Sequence, residues 1–323
     1  MKKSRIEWID IAKGFGILLV VAGHTMSPVM TGYPVMEKIC QAIYMFHMPL
    51  FFLLAGLVCG KLLKAGRGER KSLLIGRAKR LLVPYATWAV IYIPIKLLME
   101  DQVRFEQAPI WTVLLGNNPA GQLWFLYVLF LLSVITLFFV KRRSLPVWCV
   151  IGGIASILAP AIPVELGFPG IGLSFSTYQV GFFFMGLLLT EVRETCFRDG
   201  LLAVLFGIVW ASCTLAVVLD LGMWYLEAIG AAGACYVICF CAGRLKTGKL
   251  TRFFGGLGRR SMEIYILHAP ILVVCRILLK PFLAQLPWIY VLVVTVVSVT
   301  SSVLATELVI KKIKPLRFIL FGG

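Results

Sequence analysis

The first apolar run of the chain, residues 9–26, contains three ionisable side chains with the means to do chemistry: Asp10, Lys13 and His24. Each residue of an α-helix adds about 100° of rotation, so steps of three and eleven residues return these side chains to one face. His24 then lies about 16 Å farther along the helix axis than Lys13. Ionisable groups within a membrane helix usually face a protein interior or a wet cavity. The shared face indicates a functional site, although each residue alone is also compatible with an interfacial anchor or a buried histidine.

The chain has three histidines, and the other two also lie in or beside apolar runs. A neutral imidazole is well suited to accept a proton near pH 7. His47 shortly precedes Pro49, at the expected start of the second span, where a helix cap is the alternative to a functional role. Ser261, Tyr265 and His268 follow at four and three residues, so they form one helical stripe that either binds a substrate or holds another helix. The H-E-x-x-H spacing is absent, so no metal is expected.

Two further motifs offer binding groups for a ligand. Arg77 and Arg80 are one helical turn apart, so both guanidinium groups can grip one polyanion, such as a phosphorylated ligand that arrives from the cytoplasm. Ordinary membrane anchoring also explains basic residues at this place. Trp124 is more typical of the aromatic belt at a membrane surface than of a platform for a sugar. There is no P-loop and no G-x-S-x-G elbow, so ATP-driven transport and serine-esterase chemistry lack their usual signatures.

The elements that must position these residues are membrane helices. Of the 323 residues, 60% are hydrophobic and 15% are charged, whereas soluble domains are nearer half apolar and a quarter charged. We predict an all-α polytopic helical membrane protein that forms a single domain over residues 1–323. Loops 100–121 and 160–177 are candidates for re-entrant segments that line a cavity. The sequence indicates about ten transmembrane helices: 9–27, 42–60, 81–99, 122–140, 146–163, 178–190, 201–219, 224–243, 262–279 and 288–310.

The net charge of +17 is concentrated on one side of these spans. Of the 32 Lys and Arg residues, 26 lie in loops on the side of the N-terminus and four in loops on the other side. The positive-inside rule therefore predicts that both termini are cytoplasmic, and the basic charge needs no nucleic-acid partner. The nine cysteines are scattered and include no C-x-x-C pair, so they are expected to be core residues, with neither disulfides nor a zinc site.

Taken in order, these motifs resemble the bacterial membrane acyltransferase-3 family, the integral-membrane O-acetyltransferases that modify sugars and polysaccharides. The resemblance extends from one end of the chain to the other. The sequence is also similar to the fucose 4-O-acetylase-like branch and to the membrane half of membrane-bound serine racemases. The matching motifs are Asp10 to Gly14 leading to Gly23-His24, Phe46 to Phe52 with Ala55-Gly56, Arg77-x-x-Arg80 with Pro84-Tyr85, Leu123 to Leu126, and Ser261 through Tyr265 to His268.

The resemblance implies transfer of an acyl group, usually acetyl from acetyl-CoA, to a hydroxyl of a sugar, polysaccharide or related envelope acceptor. It implies that Lys13 and His24 are the functional pair, and that Arg77 and Arg80 serve the acyl donor. Many relatives have Arg where this chain has Lys13, which keeps the charge but lacks the fork geometry. Acetyl-CoA is then a co-substrate, no cofactor is permanently bound, and the protein lies in the lipid bilayer of the bacterial cytoplasmic membrane.

The expected roles follow from the motifs and the resemblance together. His24 is expected to be a general base or an acyl relay, and an Asp10–Lys13 ion pair is expected to tune the site. Arg77 and Arg80 are assigned to the acyl donor. Substrate binding is assigned to His47, Trp124, Ser261, Tyr265 and His268.

Two other functions stay open from the residues. A transporter or flippase of a small polar or lipid-linked molecule would move its substrate without consuming acetyl-CoA. A structural subunit of an envelope-assembly complex would tolerate replacement of the polar residues. The sequence identifies neither the acceptor nor the oligomeric state.

Overall fold

A computed structural model describes residues 6–98, 120–158, 173–221, 225–283 and 285–323. These residues form thirteen α-helices joined by turns and short 3₁₀ segments, and no strand occurs among them. In chain order the helices are α1 (Glu7–Met26), α2 (Pro34–Val58), α3 (Gly60–Lys64), α4 (Arg67–Leu98), α5 (Trp124–Phe138), α6 (Leu145–Leu158), α7 (Leu173–Leu188), α8 (Gly200–Val218), α9 (Tyr225–Arg244), α10 (Lys249–Arg259), α11 (Ser261–Leu283), α12 (Pro287–Leu308) and α13 (Lys314–Phe321).

Seven helical segments within the described ranges are long and apolar enough to cross a membrane. They confirm the prediction of an all-α polytopic membrane protein. The other three expected spans fall on α4, α6 and α7, so the count of ten and the cytoplasmic termini stay predictions. The expected re-entrant loops lie largely outside the described residues, and residues 173–177 begin α7. The seven segments are Glu7–Met26, Pro34–Lys64, Gly121–Phe138, Gly200–Val218, Tyr225–Arg244, Ser261–Leu283 and Pro287–Lys312.

The first helix, α1, lies in the middle of the bundle. It packs against α2, α9, α10, α11 and α12, and 12 of its 20 residues are buried. Asp10 is buried, and Lys13 and His24 are half-buried. A helix enclosed in this way presents its polar side chains to neighbouring helices, which agrees with the usual placement of ionisable groups in membrane proteins.

Glycines allow α10 to approach α1 at backbone distance. A Cβ atom at Gly14 would overlap the carbonyl of Phe254, and a Cβ atom at Gly258 would overlap the carbonyl of Asp10. Small residues at such crossings let helix backbones pack closely in membranes. The contact holds the turn of α1 that carries Lys13 against α10.

We expect Gly258→Ala to destabilise the protein, because the added methyl group forces α10 away from the Asp10 carbonyl. Overpacking of this kind costs about 1–3 kcal/mol, whereas Gly to Ala in an open helical position is favourable by up to about 1 kcal/mol. The measurement is thermal unfolding in detergent. Gly153→Ala on α6 is the matched control, because nothing lies within 4 Å of its Cβ position. Equal melting temperatures for the two variants would contradict the close crossing.

The second helix begins at Pro34 and continues through Pro49 to Val58. The expectation that His47 lies at the start of this helix is therefore wrong, since a full three turns precede it. Pro49 has no N–H, so the carbonyl of Met45, four residues earlier, loses its helical partner. The hydroxyl of Tyr178 on α7 donates to that carbonyl at 3.1 Å. A neighbouring helix thus satisfies the backbone group that the proline leaves open.

Candidate active site

The His24 side chain lies in a small cluster of rings contributed by three helices. The Tyr44 hydroxyl of α2 lies 3.4 Å from His24 Nδ1. On another side, the His268 ring of α11 is 5.3 Å from the His24 ring, centroid to centroid. The structure therefore brings together His24 and His268, which are 244 positions apart in the sequence.

Tyr44 also connects His24 to the third histidine. Its ring packs edge-on against His47, with centroids 4.9 Å apart. His47 is buried, and its Nδ1 donates a hydrogen bond to the Ile43 carbonyl at 2.9 Å. The ring of Tyr44 fits beside His24 because residue 23 is glycine, where a Cβ would stand 2.9 Å from a Tyr44 ring carbon. A side chain at position 23 would therefore crowd the Tyr44 ring.

His268 has no exposed surface. Its Nδ1 lies 2.6 Å from the Tyr265 carbonyl and 3.2 Å from the Ile264 carbonyl. Carbonyl oxygens only accept hydrogen bonds, so Nδ1 carries a proton, and in the neutral imidazole Nε2 is then the unprotonated nitrogen. Within the described residues, that buried Nε2 has no hydrogen-bond partner.

The predicted stripe on α11 is divided in the structure. Tyr265 packs 6.0 Å from His268, ring to ring, and its hydroxyl donates to the backbone carbonyl of Gln122. Ser261 is half-buried at the first position of α11, about 10 Å along the helix from His268. Tyr265 and His268 therefore join the histidine cluster, whereas Ser261 lies toward the other end of the site.

Trp124 belongs to an aromatic cluster that adjoins Tyr265. It stacks on the buried ring of Phe52 at 5.8 Å, and Phe125 contacts both Phe52 at 4.9 Å and Tyr265 at 5.5 Å. The structure thus places one ring face of Trp124 against the protein interior. The aromatic cluster links α2 and α5 to the helix that carries His268.

The basic residues expected to bind the donor converge on Cys59, at the end of α2. Arg77 Nη2 donates to Cys59 Sγ at 3.0 Å, and the same sulfur atom is within electrostatic range of Lys13 and Arg80. Arg77 is half-buried and Arg80 is exposed. Lys13 of α1 and the two arginines of α4 therefore all lie near Cys59 and form one cationic group.

Several residues of the site were not predicted from the sequence. Tyr44 had one available signal, which is its spacing of three residues before His47. Cys59 was predicted to be an ordinary core cysteine. The one available signal was its position just before the most basic loop, which brings it near basic side chains. Gln122 Nε2 and the Tyr92 hydroxyl are further buried polar atoms, and their two side chains lie close enough to interact with each other.

Metal ligation was not expected from the sequence. Across the ranges that the structure describes, no group of three or more His, Cys, Asp and Glu side chains is arranged to hold a metal ion. The chemistry considered below uses the side chains themselves.

Comparison with curated proteins finds two nodulation proteins that are similar to this chain. The chain is 29% identical over 185 residues to nodulation protein NolL of Mesorhizobium japonicum, which is 54% of this chain and 46% of that protein. It is 27% identical over 189 residues to nodulation protein NolL of Sinorhizobium fredii, which is 57% of this chain and 49% of that protein. The match thus spans about half the length of these curated relatives. No solved structure matches the chain.

The comparison with family models covers far more of the chain. Residues 6–307 match the model of the acyltransferase-3 family, which is described as an acyltransferase domain. This range includes α1 with Lys13 and His24, the two arginines of α4 and the histidine of α11. The chain belongs to the acyltransferase-3 family.

Proposed function

We propose that this chain transfers an acyl group, acetyl in the first instance, from acyl-CoA to a hydroxyl of a carbohydrate or related envelope acceptor, in the bacterial cytoplasmic membrane. The main support is the two-ended arrangement along α1. A cationic group of Lys13, Arg77 and Arg80 lies at one end, and the cluster of His24, Tyr44 and His268 lies at the other. Membership of an acyltransferase family supports the same reaction.

The cationic end is suited to the polyanionic part of the donor. Arg77 and Arg80 are one turn apart on α4, and guanidinium groups bind phosphate oxygens in a fixed fork geometry. Lys13 adds a third positive charge from α1, near the same cysteine. In this proposal the CoA phosphates bind here, and the flexible arm carries the thioester along α1 toward His24.

At the histidine end, His24 acts as general base. The acceptor oxygen attacks the thioester carbonyl, its proton passes to His24, and the C–O bond forms as the C–S bond breaks. The CoA thiolate leaves and takes the proton back, so atoms and charge balance. In this proposal the aromatic cluster beside Tyr265 keeps water away from this end, which would limit hydrolysis of the thioester.

The experiment is release of radiolabel from [acetyl-¹⁴C]CoA by the purified protein in liposomes, with and without soluble carbohydrate acceptors. Acceptor-dependent transfer of label supports the proposal. Movement of a polar substrate across the membrane without consumption of acetyl-CoA would instead support a transporter. If a folded sample neither transfers label from acetyl-CoA nor moves a polar substrate across the membrane, the result would favour a structural subunit.

A second route makes His24 an acyl relay, which first accepts the acetyl group and then passes it to the acceptor. The two routes differ before any acceptor is added. We expect direct transfer, so pre-steady-state mixing with acetyl-CoA should show no burst of free CoA thiol. A burst equal to about one CoA per protein would mean that an acyl-enzyme accumulates, and the relay would replace the general base.

A further inference from the structure

The helix α10 joins two segments that are long enough to cross the membrane, and is itself too short to do so. Segment Tyr225–Arg244 precedes it and segment Ser261–Leu283 follows it. Its 11 residues extend about 16 Å, whereas a helical span needs about 20 residues. The helix must therefore lie on one side of the membrane, between the ends of these two spans.

The contact with α1 places α10 close to the membrane surface. The glycine crossing reaches Asp10 and Gly14, which are three and seven residues from Glu7, the first residue of α1. The crossing is therefore within about 11 Å of the end of that span. Each headgroup layer of a bilayer is about 5–8 Å thick, so α10 lies in this layer or just below it.

Three stripes of different chemistry run along α10, because spacings of three, four and seven residues place side chains on one face of a helix. One stripe is small and buried, one is apolar and one is basic. In that order the stripes are Thr251, Gly255 and Gly258; Leu250, Phe253 and Leu257; and Lys249, Arg252 and Arg259.

The small stripe faces the protein, whereas much of the other two stripes does not. Gly255 and Gly258 lie against α1. In the apolar stripe Leu257 is buried, but Leu250 is 61% exposed and Phe253 is 53% exposed. All three basic residues are exposed. An apolar surface and a basic surface therefore lie side by side on the outer part of this helix.

The basic stripe lacks acidic neighbours. The sequence has no Asp or Glu between Glu227 and Glu263. In the part of the chain that the structure describes, no carboxylate forms an ion pair with Lys249, Arg252 or Arg259. Helices with an apolar face beside a basic face bind at membrane surfaces, where their charges attract anionic lipids.

We propose that α10 lies in the headgroup region, on the side of the membrane where α1 begins, and binds anionic phospholipid there. Leu250 and Phe253 enter the acyl region, and the basic stripe contacts the phosphates of the headgroups. The bound lipid holds α10 against the turn of α1 that carries Lys13. This inference does not depend on the reaction that the protein performs.

The first test compares two lipids by native mass spectrometry of the purified protein in detergent. The probes are phosphatidylglycerol and phosphatidylcholine with the same acyl chains. We expect the wild type to retain phosphatidylglycerol in preference. Lys249→Gln/Arg252→Gln should reduce this preference by roughly fivefold for each charge removed, which is the usual contribution of a basic residue near an anionic membrane surface.

The matched control is Arg67→Gln/Lys71→Gln, which removes two exposed charges one turn apart at the start of α4. This variant should keep the lipid preference of the wild type. Equal losses in the two double variants would show attraction to net charge in place of a site on α10. A wild type that retains both lipids equally would also overturn the inference.

The second test shows what covers the apolar stripe. Leu250→Gln/Phe253→Gln and the wild type are compared by thermal unfolding in nanodiscs that contain phosphatidylglycerol. We expect the variant to melt at a lower temperature, because its polar side chains would be placed in lipid. Such replacements at water-exposed positions are usually close to neutral. An unchanged or higher melting temperature would mean that this face meets water, as it would if α10 bound a soluble acidic partner.

The same assay tests the effect of the lipid on the crossing of α10 with α1. Adding phosphatidylglycerol to phosphatidylcholine nanodiscs should raise the melting temperature of the wild type. In Lys249→Gln/Arg252→Gln the increase should be largely lost. An equal increase in both proteins would show that the lipid stabilises the protein at a place other than α10.

Discussion

His24→Ala is expected to abolish acyl transfer while the protein still folds. Loss of a general base typically costs a factor of about 10²–10⁴ in rate, and the relay route fails as well because it needs the same imidazole. His24 is half-buried and its ring lies against Tyr44 and His268, so its removal deletes little core packing. The measurement is transfer of label from [acetyl-¹⁴C]CoA by matched amounts of wild-type and variant protein.

Thr25→Ala is the control for this experiment. Thr25 is the next residue of α1, is buried, and donates its hydroxyl to the Val21 carbonyl at 2.8 Å. Its replacement disturbs the same turn of helix without touching the imidazole, so activity should stay close to that of the wild type. Full activity in His24→Ala would remove this residue from the mechanism. Equal losses in both variants would mean that the turn matters only as structure.

Arg77→Ala and Arg80→Ala are each expected to raise the KM for acetyl-CoA roughly ten- to a hundredfold. A hydrogen bond to a charged group is worth about 1.5–3 kcal/mol, which gives this range. Replacement by Lys should recover only part of the affinity, since the charge returns without the fork. Lys79→Ala is the matched control, because it removes one positive charge from the same turn at an exposed position.

A change of donor makes this prediction sharper. S-acetylpantetheine carries the thioester and the flexible arm but lacks the phosphates of CoA. If the arginines bind phosphate, wild type and arginine variants should use this shorter donor at similar rates. A defect of the same size with both donors would show that the arginines act on the thioester end or on the fold, and the assignment to the donor phosphates would be wrong.

The sequence predicts the helical framework well, because membrane helices are recognised by the length and apolar composition of their segments. The apolar run with Asp10, Lys13 and His24 is one unbroken helix, Glu7–Met26. The spacing of Arg77 and Arg80 likewise needs nothing beyond helical geometry. Which residues of a helix share a face depends only on their spacing within that helix, so the sequence alone is enough to predict it.

The sequence wrongly indicated that a helix begins near Pro49, whereas α2 begins at Pro34. A proline after His47 suggested a helix N-terminus, where the missing N–H has no cost. The structure instead keeps Pro49 in the helix interior, because Tyr178 from another helix donates to the carbonyl that the proline leaves open. A contact between residues 133 positions apart is invisible to any local pattern.

The partners of the site residues could not be predicted either. The contacts of Tyr44 with His24, of Cys59 with Arg77 and of the His268 ring with His24 all depend on how separate helices pack. Nothing in the residue types fixes those pairings, since tyrosine and cysteine are common in membrane cores. The candidate residues were available from the sequence, whereas the contacts that give them roles came from the structure.

In the proposed reaction the donor phosphates bind near Lys13 and the thioester reacts at His24, so the distance along α1 sets the reach that a donor must have. Lys13 and His24 are about 16 Å apart along the helix axis, so the donor must span a similar distance between its phosphates and its thioester. A carrier whose thioester is tethered close to its phosphate can dock on the arginines, yet its carbonyl stops short of His24. If the proposed reaction is correct, the protein would select among acyl carriers by the length of this tether as well as by charge.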